Sequence, residues 1–147
     1  MMSWEDFKVG DRQEMGRHTF TENEILAFAR QFDPQPFHTD AHAAKRSFFG
    51  GLVASGWHTC AVAMRLMCDS YLNNSRSLGS PGVDHVRFHK PVRPGDTLLF
   101  RRIVLASRLS SSRKGVGLVK QRWEAVNEQG ELVFSMEGWN MFGLRPA

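Results

Sequence analysis

Residues 55 to 74, SGWHTCAVAMRLMCDSYLNN, carry apolar or small side chains on nearly every face of a helix for about four turns, until Asp69. A helix of that kind is surrounded by protein rather than laid on a surface. The material to surround it follows in the second half of the chain. VDHVRFHKPV, DTLLFRRIVLASRLS, GVGLVKQRWEAVN and ELVFSMEGWNMFGL read as strands, and RPGD, SSSRKG and NEQG between them read as turns. In the first of these, Val83, His85, Arg87 and His89 alternate with Asp84, Val86, Phe88 and Lys90, so one face is wetter than the other. A further strand is expected early, around Arg12 to Thr19. Together these patterns predict an α+β domain: a helix-rich insertion, then an antiparallel meander whose long sheet curls around the helix from about Ser55 to Leu72.

The chain has 147 residues, 41% hydrophobic and 23% charged, which fits a single domain over 1–147 with a sizeable core and argues against disorder. No apolar run approaches the roughly 20 residues of a membrane helix. The start, MMSWEDFKVG, lacks the basic and apolar segments of a signal peptide. A cytoplasmic, unprocessed protein without a membrane partner is therefore expected. Cys60 and Cys68 fall in one helical pattern roughly 12 Å apart along its axis, too far to bond, and read as small apolar core residues. The net charge is +4, yet Lys and Arg are scattered and no aromatic residues interleave with them, so no nucleic-acid partner is expected.

A first helix is signalled by TENEILAFARQF, in which Thr21 and Glu24 form a capping box and Ile25, Phe28, Ala29 and Phe32 share a face. It should run from about Glu22 to Gln31 and stop before Pro34 and Pro36, with a short polar helix around Ala41 to Arg46 after it. Between them lies FDPQPFHTD, which fixes Asp33 and His38 five residues apart on backbone stiffened by proline. A carboxylate beside an imidazole can set the ring's tautomer, and together they can hold and polarise a water. Each also has an ordinary structural use, the aspartate in a turn and the histidine in a core. A second constellation, GGLVASGWHT, sets Gly50, Gly51, Ser55 and Gly56 where the apolar helix begins. Free N–H groups and the positive end of the helix dipole meet there, and glycine lets a substrate oxygen approach them. Small residues at that place would equally let helix and sheet pack closely.

Taken in order, FDPQPFHTD, FFGGLVASGWHT and KPVRPGDTL resemble the MaoC-like dehydratases, relatives of the R-specific enoyl-CoA hydratases with the hot-dog fold. The resemblance runs from about Val9 to Phe142. Of the family pattern Gly-Asp-x-Asn-Pro-x-His-x-Asp, this chain keeps Asp33, Pro36, His38 and Asp40. It departs at Phe32, where glycine is usual, at Gln35, where asparagine is usual, and at Ser55, where a histidine commonly precedes the glycine kept here as Gly56. Gln35 retains an amide that can orient His38. Phe32, Ser55 and Trp57 border the reacting centre and bear on substrate size, whereas His58 reads as a packing or capping residue.

The resemblance implies reversible addition of water to a trans-2-enoyl thioester, giving an R-3-hydroxyacyl thioester. Asp33 and His38 would share the water, and the Gly56 N–H would stabilise the enolate-like oxyanion. No cofactor is implied, because the thioester itself acidifies the carbon, and the sequence has no metal-spaced Cys/His cluster. Coenzyme A enters only as part of the substrate. Its phosphates would meet cations drawn from Arg87, Lys90, Arg93, Arg113 and Lys114. A homodimer formed through sheet edges is also implied. Two other readings stay open: a hot-dog thioesterase acting on similar substrates, and a non-catalytic acyl-binding subunit.

Overall fold

The computed structural model describes residues 1–147. Its strands are β1 (Arg12–Thr19), β2 (Asp84–Phe88), β3 (Thr97–Leu109), β4 (Val116–Val126) and β5 (Leu132–Gly143). They form one antiparallel sheet in the order β1-β3-β4-β5-β2. Between β1 and β2 lie α1 (Glu22–Phe32), α2 (Pro36–Thr39), α3 (Ala41–Lys45) and α4 (Gly56–Ser70). The expected α+β hot-dog domain is present, a long sheet curled over a central helix. No helix is long and apolar enough to cross a membrane.

The strands obey the two-residue period that makes a one-sided core. Leu98, Phe100, Arg102 and Val104 of β3 are buried, while Leu99, Arg101 and Ile103 between them are only partly so. From α4, Val62, Ala63 and Met67 join the same cluster as Phe100, Trp123, Phe134 and Phe142 of the sheet. Arg102 is the exception in this apolar row. Its Nε donates to Gln13 Oε1 at 2.7 Å and its Nη1 to Gln121 Oε1 at 3.0 Å, while the guanidinium lies 4.4 Å from the Tyr71 ring centre. Burial pushes this guanidinium's pKa down, and hydrogen bonds and ring faces replace the water it has lost.

Two expectations are corrected. The apolar helix is not covered on every side: Trp57 and Met64 are 64% and 47% exposed, and Ala61 between them is open too. Only the face bearing Val62, Ala63 and Met67 meets the sheet; tryptophan, alanine and methionine count as apolar wherever they point, so composition could not separate the faces. The strand expected over VDHVRFHKPV is also cut to five residues. His85 adopts φ 53°, the register slips between Asp84 and Arg87, and beyond Phe88 the His89 and Lys90 N–H groups both turn to the Val133 carbonyl.

A 3₁₀ turn at Trp4–Asp6 closes over β4, and its Trp4 ring lies where a Cβ on Gly117 would stand. Gly117→Ala should therefore force the ring aside and lower stability by about 1–3 kcal/mol, the usual range for overpacking. Urea unfolding checks this, and a midpoint equal to wild type would show that the turn yields freely.

Candidate active site

Helix α1 starts on the expected capping box. The Glu24 N–H donates to Thr21 Oγ1 at 3.2 Å, and the Thr21 N–H donates to Glu24 Oε1 at 2.7 Å. The helix ends at Asp33, whose N–H still reaches the Ala29 carbonyl and whose φ of −151° breaks the helical path. Pro34 cannot continue the helix, and Pro36 begins α2 at the position where a missing N–H costs nothing. Asp33 therefore sits on a fixed corner, and His38 is carried back toward it by one turn of α2. Asp40, the last residue of the motif, caps α3 by accepting from the His42 and Ala43 N–H groups.

His38 is buried, and its Nδ1 lies 2.6 Å from the Val53 carbonyl. A carbonyl can only accept, so Nδ1 carries a proton and Nε2 of the neutral ring is a lone pair. That nitrogen faces Asp33 Oδ2 at 3.3 Å. The other contacts of the carboxylate are donors: Gln35 Nε2 gives a 2.7 Å bond to Oδ1, and Ser55 Oγ a 2.7 Å bond to Oδ2. Burial alone would raise the Asp33 pKa, but the hydrogen bonds donated by Gln35 and Ser55 hold it below the ordinary carboxylate value. Gln35 thus orients Asp33 rather than His38, a correction to the expected role of its amide. Ser55 serves twice, because its Oγ also accepts from the Trp57 N–H at 3.3 Å as the N-cap of α4.

Gly56 is the first residue of α4, and its N–H makes no hydrogen bond within the protein. With His38 it lines a cavity of about 290 Å³ whose walls include Phe37, Phe49, Phe88 and Phe134. A Cβ on Gly56 would stand 2.5 Å from Phe88 Cζ, so close packing alone already requires glycine. Of the expected cations only Lys90 reaches this lining, and its Nζ is 2.6 Å from Glu131 Oε2. Arg87 is exposed on β2, outside the lining, as are Trp57 and the phenyl ring of Phe32. Arg93 is corrected from a phosphate cation to an anchor, its Nη2 donating to the Phe49 carbonyl at 2.7 Å and holding the glycine loop. Reading the sequence missed Phe88 and the Val53 carbonyl. The alternation of VRFHKPV does set Phe88 opposite Arg87, but a backbone partner leaves no residue-type signal.

A second cluster lies beside the site. His58 stacks on Phe28 with ring centres 4.8 Å apart, and its Nε2 is 3.5 Å from Glu24 Oε2, which His18 also contacts at 2.8 Å. Burial pushes the His58 pKa down, opposed by Glu24 and reinforced by His18.

These features define a hot-dog domain with an Asp–His pair at the start of its central helix. The profile of the MaoC like domain family matches residues 7–124, and the chain belongs to the MaoC-like dehydratase family. A MaoC-like dehydratase from Rhodospirillum rubrum is 40% identical, each chain covering 100% of the other, with a TM-score of 0.92. An uncharacterized protein of Bacillus subtilis is 27% identical over 92% of this chain and 95% of its own length. An R-hydratase of Pseudomonas aeruginosa, 23% identical, shares the fold with a TM-score of 0.78 over 98% of this chain and 87% of its own.

The His58 environment generates a stability prediction. With its folded pKa below the unfolded 6.5, the unfolded chain binds more protons there, so stability falls as the pH drops below that value. His58→Gln should flatten this part of the melting-temperature profile between about pH 5 and about pH 7. A slope identical to wild type would assign the acid sensitivity to other groups.

Proposed function

We propose that the protein adds water reversibly across the double bond of a trans-2-enoyl thioester of coenzyme A, forming an R-3-hydroxyacyl thioester. The observation that carries this reading is His38 Nε2 standing 3.3 Å from the Asp33 carboxylate while Nδ1 is held on the Val53 carbonyl, which in the neutral ring turns a lone pair to Asp33. Two acceptors so placed both seek a proton, and one water can donate to both at once. Its oxygen is then held with a free lone pair for attack on the third acyl carbon. One O–H proton passes to the pair, the oxygen bonds to carbon, and the same proton count is restored when the second carbon is protonated. Water supplies both added groups, so the balance calls for no oxidant, reductant or resident cofactor.

The negative charge that develops on the thioester oxygen would fall to the Gly56 N–H at the positive end of α4. Lys90, at the cavity, and Arg87, beyond it, would meet the coenzyme's phosphates, and Trp57 would border its path. The family relationship to dehydratases and the fold shared with an R-hydratase support this chemistry. A homodimer goes with it, since β2 leaves an open edge of the sheet for a second strand to pair with.

Crotonyl-CoA should lose its conjugated absorbance on adding the protein, without release of free thiol. Asp33→Asn and His38→Gln should each reduce that rate by at least about 100-fold while remaining folded, the scale of positioned acid–base catalysis. Thiol release instead would make the protein a thioesterase, and a near-normal rate in either variant would remove that residue from the chemistry.

A further inference from the structure

We infer that the hydroxyl of Thr59 is a second donor to the substrate oxyanion, acting beside the Gly56 N–H. This assignment rests on the hydratase reading and adds a residue to its site. Thr59 is 2% exposed and lines the same cavity as His38 and Gly56. Its hydroxyl makes no hydrogen bond to the protein and is not wholly sealed from solvent, and the residue forms part of the cavity wall. A buried hydroxyl left without a partner is costly, and a helical threonine has an easy remedy in the carbonyl four residues back. Ser70, in the same helix, takes that remedy, bonding the Leu66 carbonyl at 2.6 Å. For Thr59 the equivalent carbonyl is that of Ser55, and it accepts the His58 and Thr59 N–H groups instead.

The position of Thr59 gives the free hydroxyl its role. Residues three apart in a helix share a face, and a helical side chain leans toward the N-terminus of its helix. The Thr59 hydroxyl is therefore directed back over the first turn, toward the volume that the Gly56 N–H also faces. Two donors with no protein acceptor thus belong to a cavity that His38, His89 and Lys90 also line. An oxygen carrying negative charge in the transition state is the group such a pair fits, because both donors are fixed before the reaction begins. An acyl chain of plain hydrocarbon would leave the hydroxyl unpaired.

The test compares Thr59→Val, which keeps the shape and deletes the hydroxyl, with Thr59→Ser, which keeps the hydroxyl. With crotonyl-CoA, Thr59→Val should lower kcat by about 100-fold at nearly unchanged KM, and Thr59→Ser should recover most of the loss. The melting temperature of Thr59→Val should not fall below wild type, since the hydroxyl has no bond within the protein to lose. Acetoacetyl-CoA supplies a reading free of turnover, since its bound enolate absorbs in the ultraviolet; Thr59→Val should bind it about tenfold more weakly and with less enolate. A variant with wild-type kcat and wild-type enolate absorbance overturns the assignment and leaves the hydratase reading intact. So does a loss confined to KM that changes with the acyl group, which would make Thr59 a contact to the acyl chain. Should the protein bind acetoacetyl-CoA but hydrate nothing, the hydratase reading fails and the enolate absorbance alone decides Thr59. A wild-type protein that neither hydrates crotonyl-CoA nor binds acetoacetyl-CoA overturns both.

Discussion

The hydrogen bond from His38 Nδ1 to the Val53 carbonyl is the interaction on which the candidate site depends. It is answered in the opposite direction by the Val53 N–H, which donates to the Phe37 carbonyl at 3.2 Å. Two bonds in opposite senses clamp α2 to the segment that leads into α4, so ring and helix start move as one body. The clamp also fixes the chemistry. Because its partner is a carbonyl, the imidazole has one permitted neutral tautomer, and its basic nitrogen is turned to Asp33. An arrangement that left Nδ1 free would allow the ring to flip and present a donor there instead.

Asp33 is held by the same kind of double use. Ser55, fully buried, donates to the carboxylate with its hydroxyl proton and accepts the Trp57 N–H with its oxygen lone pair. One serine thereby sets the distance between the carboxylate and the start of α4. A histidine at this place, as is common in the family, could not cap the helix through a short hydroxyl. Gln35 takes the other carboxylate oxygen from the neighbouring corner. Two of the three departures from the family pattern, Gln35 and Ser55, therefore act on Asp33, and both favour its charged form against the cost of burial.

Much of this was legible in the sequence, in proportion to how local the cause was. The capping box of α1 and the strand over Arg12–Thr19 depend on neighbours within a few residues, and they stand where the pattern put them. FDPQPFHTD announced a corner because proline restricts the backbone whatever surrounds it. What could not be read depends on partners far along the chain. Val53 meets His38 through a carbonyl every residue possesses, and Arg93 is drawn to the Phe49 carbonyl rather than to solvent. Phe88 was visible as an apolar residue in an alternating strand, but its ring meets Gly56 across thirty-odd residues of intervening chain. The open face of α4 was hidden for another reason: hydrophobic periodicity records which residues avoid water, not which body covers them.

The contact between Phe88 and Gly56 joins the helix start to the edge of the sheet. Gly56 lacks a Cβ, which lets the ring lie against it and keeps its N–H free. Strand β2, which carries that ring, is held on one side only, by β5, across a register slip and a residue at positive φ. Its outer edge keeps unpaired backbone groups that another strand can satisfy. The ring that lies against the first turn of α4 is therefore carried by the strand with the open edge, and the β5 pairing and the packing of Phe88 on Phe134 hold it in place.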